Sequence, residues 1–197
     1  MRLKVSRRAA LRLGGLLAGG VAGGFSTRPA AAQSLGDISG LETVPPGQSL
    51  PPFQFYTADN KVRTLADYRG QGVVINLWAT WCGPCTAELP TMDTLAQTLA
   101  KDGIVVLPVS SDIGGATAVQ GFYRSHDIRH LPVLLDHNSA ILQAWQVPGI
   151  PVTVIFDRAG HPKARLVGGA DWGTEEAAAK VRSLCGPDLA KAADVRI

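Results

Sequence analysis

The segment Val73-Val-Ile-Asn-Leu-Trp78-Ala-Thr-Trp81-Cys82-Gly-Pro-Cys85-Thr-Ala-Glu88-Leu-Pro90 runs from an apolar strand pattern straight into a helix pattern that begins at a cysteine. Its first six residues form an almost unbroken apolar run, as in a central strand covered on both faces. Pro84 suits the first turn of a helix, where its missing N–H is no loss, so a helix should begin inside the Cys-Gly-Pro-Cys loop. Cys82 then lies at the helix N-terminus and Cys85 one turn further in. Unpaired backbone N–H groups and the positive end of the helix dipole favour thiolate over thiol at that place. Cys82 is accordingly the candidate nucleophile and Cys85 the resolving thiol, and the chemistry to expect is thiol–disulfide exchange.

Only three cysteines occur, Cys82, Cys85 and Cys185, so the chain is not a disulfide-stapled scaffold. A structural zinc site would need a second pair at ligand spacing, and none is present. Cys185 falls on the stripe Ala177, Val181, Leu184, Cys185, which is core spacing, and reads as a buried, inert thiol.

Outward from the dithiol, strand and helix patterns alternate. A hairpin is expected from 53–57 and 61–64 around Ala58-Asp59-Asn60, followed by a helical turn at 65–68. The helix over 84–101 should bury Leu89, Met92, Leu95, Ala96 and Leu99. A buried strand over 104–109, a helix over 116–126, a short strand over 133–135 and a short helix over 140–145 follow. Strands over 152–156 and 164–167 flank the turn Arg158-Ala159-Gly160, and a helix over 174–185, capped by Thr174, closes the domain. This alternation implies an α/β domain with a central mixed sheet and helices on both faces. Residues 33–52, punctuated by Pro45-Pro46-Gly47 and Pro51-Pro52, read as a linker, 53–186 as the domain and 187–197 as a tail.

At these residues the sequence resembles the thioredoxin superfamily, and within it the TlpA/ResA-like branch of exported thiol–disulfide oxidoreductases. The resemblance covers about 53–184 and is carried by Asn76-Leu-Trp-Ala-Thr-Trp-Cys-Gly-Pro-Cys85, Glu88-Leu-Pro90 and Gly149-Ile-Pro151. It implies a thioredoxin fold with an N-terminal β-hairpin and a central insertion, about 112–138. It also implies that Pro151 is cis and lies against the dithiol, where the backbone at Ile150 pairs with an extended substrate; a cis bond is cheap only before proline. Trp81, Gly83 and Pro84 would border the same substrate site. Asn76 stands where thioredoxins proper carry a buried, proton-moving aspartate. The TlpA/ResA-like branch instead uses a glutamate, which Glu88 matches. Glu88 is three residues beyond Cys85 and shares its helix face; the alternative is a solvated helix carboxylate. Pro90 matches a helix-kinking proline of the superfamily. Trp78 reads as core, Trp145 and Trp172 as core or rim.

The formal charge of +3 belongs to the N-terminus: Arg2, Lys4, Arg7, Arg8, Arg12 and Arg28 precede the first acidic residue, Asp37, and without residues 1–32 the charge becomes −3. A mildly acidic domain makes a poor nucleic-acid surface, and no such partner is expected. Ser6-Arg7-Arg8-Ala-Ala-Leu-Arg12, the apolar run 13–25 and Ala30-Ala31-Ala32 resemble a twin-arginine export signal, which places the domain in a bacterial periplasm. The alternative is an uncleaved anchor in the inner membrane, facing the periplasm. Gly83-Pro84 brings no cation to the thiolate and Glu88 adds an acid, so a reductant is expected. Its partners would be client proteins with disulfides or paired cysteines and a membrane electron donor. A monomer without a cofactor is expected. The resemblance suggests cytochrome c cysteines or copper-site cysteines of a respiratory oxidase as clients.

Other chemistries compete. A copper-handling metallochaperone on this fold would use a cysteine pair and a distant histidine. His126 and His130 stand four apart, and His137 and His161 fall in expected turns, but the copper pattern spaces its cysteines one residue wider than Cys82 and Cys85, so no metal ligand is assigned. A peroxiredoxin would have threonine three residues before its cysteine, where Ala79 stands. A passive binding module would not need an intact dithiol.

Overall fold

A computed structural model describes residues 35–187. The expected export signal at 1–32 and the tail beyond 187 lie outside the described residues.

The apolar run at 73–78 becomes β4 (Gly72–Trp78), buried at every position. It pairs in parallel with β5 (Ile104–Ser110) and antiparallel with β7 (Val152–Phe156), so both edges are satisfied. Period-two alternation then divides its side chains between two cores. Val74 and Trp78 pack with residues of α1 (Gly83–Leu99), α2 (Gly115–Ser125) and α4 (Glu175–Cys185). Val73, Ile75 and Leu77 pack on the other face with Phe55, Trp145 and Ile141, the last from α3 (Ala140–Ala144). Trp78, Trp145 and Trp172 are all core.

The remaining strands are β1 (Glu42–Thr43), β2 (Phe55–Thr57), β3 (Val62–Arg63), β6 (Leu134–Leu135) and β8 (Pro162–Val167). The sheet runs β1-β8-β7-β4-β5-β6-β2-β3, a mixed sheet flanked by helices, as the thioredoxin fold requires. The expected hairpin is β2–β3. It joins the sheet through the insertion, because β6 pairs with β5 on one side and β2 on the other.

The segment read as a linker is different from expectation. Gly36 bridges Ala170, Glu42 and Thr43 pair with Arg165 and Ala164 of β8, and Val44 N–H donates to the Lys163 carbonyl at 2.9 Å. Ile38 and Leu41 pack against the core. The sheet therefore begins before the prolines, and β1 covers what would otherwise be the open edge of β8.

At the start of β4, opposite the dithiol end, the chain closes tightly. A Cβ on Gly72 would lie 2.6 Å from both Cβ and Sγ of Cys185 and 2.9 Å from Ile104 Cγ1. Beside it, Arg158 donates to the carbonyls of Gly70, Gly103, Asp102 and Gly186 at 2.7–3.2 Å. Gly72→Ala is expected to cost about 1–3 kcal/mol through overpacking, read as a lower midpoint in urea denaturation. An unchanged midpoint would mean that the end of α4 has room to move.

Candidate active site

The loop leaving β4 is held before it reaches the cysteines. Thr80 donates to Asp112 through its N–H at 2.9 Å and its hydroxyl at 2.6 Å, and Ser110 at the end of β5 donates to the same carboxylate at 2.6 Å. Cys82 follows as the N-cap of α1, with extended backbone, and Pro84 falls in the first turn. The Cys85 N–H donates to Cys82 Sγ at 3.3 Å, so a sulfur occupies the place usually filled by a capping oxygen. Cys82 and Cys85 form a disulfide.

The two cysteines differ in exposure. Cys82 is 7% exposed and Cys85 is 0% exposed, while Trp81 beside them is 69% exposed. Gly83 and Pro84 are also exposed. From the far side comes the loop before β7, where the Ile150–Pro151 peptide is cis and the Ile150 carbonyl oxygen lies 3.6 Å from Cys82 Sγ. The fold thus gathers Trp81, Cys82, Gly83, Pro84, Cys85, Ile150 and Pro151 at one end of the sheet.

Glu88, one helical turn beyond Cys85, is fully buried and not the solvated carboxylate that helix spacing allowed. Its Oε1 accepts from Asn76 Nδ2 at 2.7 Å, and its Oε2 from the Ala170 N–H at 3.0 Å. Gly169 leaves room for this approach, since a Cβ there would lie 3.3 Å from Glu88 Oε2. Burial pushes the carboxyl up from 4.5 to about 8. The Ala170 N–H and the Asn76 amide oppose that rise, as does the nearby Trp172 indole. At neutral pH the group therefore holds its proton. The negative charge expected next to the dithiol is therefore largely absent there.

Asp112, Asn76, Thr153 and Ala170 carry the site without having been singled out as members of it, apart from the departure noted at Asn76. Polar residues directly after the buried run of β5, Ser110-Ser-Asp112, were the available signal for Asp112. The histidines do not converge. Helix α2 ends at Ser125 and Asp127 has φ of 56°, so His126 and His130 are not one helical turn apart. His126 stacks on Phe122, and His130 pairs with Asp93, which also accepts three backbone N–H groups from Arg129, His130 and Leu131. His137 bonds to Asn60, and His161 pairs with Asp157. Among the described residues no group of three or more His, Cys, Asp or Glu side chains is placed to hold a metal ion. Cys185 is buried; burial pushes its thiol up to about 11, and its S–H donates to the Phe156 carbonyl at 3.4 Å. No described helix is long and apolar enough to cross a membrane.

The sequence model of the AhpC/TSA family matches residues 46–164. The chain belongs to that family. Within it, the chain is 30% identical over 159 residues to the thiol-disulfide oxidoreductase ResA of Bacillus subtilis (strain 168), covering 80% of this chain and 84% of that protein. ResA of Geobacillus thermodenitrificans (strain NG80-2) is 32% identical over 123 residues, 62% of this chain and 69% of that protein. A secreted thiol-disulfide isomerase from Corynebacterium glutamicum shares the fold with a TM-score of 0.60 at 20% identity, over 76% of this chain and 91% of that one. This AhpC/TSA protein is a ResA-like thiol–disulfide oxidoreductase of the thioredoxin family.

The raised Glu88 carboxyl has a thermodynamic signature. The folded chain keeps a proton that the unfolded chain releases above about pH 4.5, so stability is full below that pH and declines as pH rises toward about 8, flattening beyond. The slope approaches about 1.4 kcal/mol per pH unit at most. Glu88→Gln should flatten this dependence in denaturation curves collected from pH 5 to 9, and a parallel profile for the two proteins would place the Glu88 carboxyl near its ordinary value.

Proposed function

We propose that the protein is an exported reductant of client-protein disulfides, with Cys82 as nucleophile, Cys85 as resolving thiol and Glu88 as the proton carrier between them and solvent. The observation that carries this reading is the position of Cys82 Sγ: it belongs to the more exposed of the two cysteines, it accepts the Cys85 N–H at the helix N-terminus, and it lies against the cis-proline loop.

In the reduced protein the Cys82 thiolate attacks one sulfur of a client disulfide. The client S–S bond breaks, a Cys82–client disulfide forms, and the other client sulfur leaves as a thiolate that takes a proton. Ionised Glu88 accepts the Cys85 proton, and the Cys85 thiolate attacks Cys82 Sγ. The second client sulfur departs as a thiolate, is protonated in turn, and the Cys82–Cys85 disulfide remains. Two electrons have passed from the dithiol to the client, and Glu88 returns its proton to the medium. A carboxyl near pH 8 suits this double duty, since it both takes and gives a proton close to neutrality.

The reducing direction rests on Gly83-Pro84, which adds no cation that would stabilise the thiolate and make the couple more oxidising. Negative charge on Glu88 strengthens that tendency only toward and above pH 8. Such a protein in an oxidising periplasm needs a membrane electron donor, and cysteines of an apocytochrome c or of an oxidase copper site are clients of the right chemistry.

Cys82→Ala should abolish exchange, whereas Cys85→Ala should accumulate mixed disulfides that non-reducing electrophoresis retains. Equilibration with a glutathione or dithiothreitol buffer should give a potential well below about −180 mV; a value above it would make the protein a disulfide donor instead. Replacing Arg7 and Arg8 by lysine should hold the precursor in the cytoplasm, as judged by cell fractionation, and undiminished periplasmic protein would exclude twin-arginine dependence.

A further inference from the structure

The Asn76 carboxamide is fully buried in the middle of the sheet. Its Nδ2 donates to Glu88 Oε1 at 2.7 Å and to Thr153 Oγ1 at 3.0 Å, whereas its buried Oδ1 has no hydrogen-bond partner among the described residues. The opposite orientation would aim an acceptor at Glu88, which when ionised is itself acceptor-only. The amide is therefore turned to serve the charged form of Glu88. Thr153, directly across from Asn76 in the β4–β7 pairing, accepts the second hydrogen and so holds the amide in place.

We propose that Asn76 is a positioning residue for exchange, its amide held by Thr153 so that Glu88 is stabilised while it is without its proton. The inference rests on the proton-carrying role proposed for Glu88. The Ala170 N–H on the other oxygen is main chain, so Asn76 is the side-chain donor in this pair of contacts. Burial alone favours the protonated acid, and an acid that never ionises cannot accept the Cys85 proton. The groups that meet Glu88 are Asn76 of β4, Thr153 of β7 acting through Asn76, and Ala170 and Trp172 from the segment before α4; Cys85, three residues back on the same helix, is held in the disulfide. Among the described residues no ionised side chain contributes to the Glu88 shift, so a titration change in an Asn76 or Thr153 variant reports on these hydrogen bonds.

The test is a carbon-13 NMR titration of Glu88 in the oxidised full domain, paired with rate–pH profiles for reduction of a disulfide-bonded peptide by the reduced protein. Asn76→Leu should raise the Glu88 midpoint by about one to two pH units, the loss of one hydrogen bond to a charged group. The neutral-pH rate should fall about tenfold for each unit moved, following the ionised fraction. Thr153→Val keeps its shape and should shift the midpoint in the same direction by less, while Thr153→Ser restores the wild-type value. Folded Asn76→Leu and Thr153→Val proteins with an unmoved midpoint overturn the proposal, even if they are slow. That outcome leaves the role of Glu88 intact, because Glu88→Gln reads it separately: a wild-type rate profile in Glu88→Gln would sink both.

Discussion

The contact between the Cys85 N–H and Cys82 Sγ makes the redox atom part of the secondary structure. A helix N-terminus must find acceptors for its first N–H groups, and here an acceptor is the sulfur itself. Everything around the site serves to deliver that sulfur to that place. Strand β4, locked on both edges, aims the chain; the Asp112 carboxylate holds Thr80 just before the turn; Pro84 starts the helix without demanding an acceptor. The cis-proline loop then leaves Cys82 against a main-chain carbonyl rather than a charged side chain.

Desolvation sets the second half of the chemistry. Glu88 lies on a helix that is elsewhere amphipathic, yet the Gly169–Ala170 backbone and β4 close over it. The carboxyl is kept from water but not left without donors, which raises its proton affinity without making ionisation prohibitive. Reading Glu88 as an anion followed from its residue type alone. Its neutrality follows from elements far along the chain.

The main strands and helices were legible because their residues carry strong periodicity: the 73–78, 104–109 and 152–156 runs could only be buried strands, and Thr174 caps α4 through a bond from the Ala177 N–H, as its residue type suggested. The cysteines and Pro151 were legible through local motif chemistry. What escaped was pairing at a distance. A two-residue strand such as β1 has no period to read, and prolines at 45 and 46 drew attention away from Ile38 and Leu41 just before them. Asp112 holding Thr80, and Asp93 gathering N–H groups from 129–131, each depend on a loop whose path no local pattern reveals. The four-residue spacing of His126 and His130 has helical meaning only if the helix continues, and α2 stops at Ser125.

Arg158 gives the molecule a mechanical polarity. One planar guanidinium gathers carbonyls from the approach to β4, from the turn between α1 and β5 and from the end of α4, all at the pole away from the cysteines. A lysine at this position could not span them, because its donors radiate from a single nitrogen. One side chain thus ties three chain segments together at the pole opposite the cysteines.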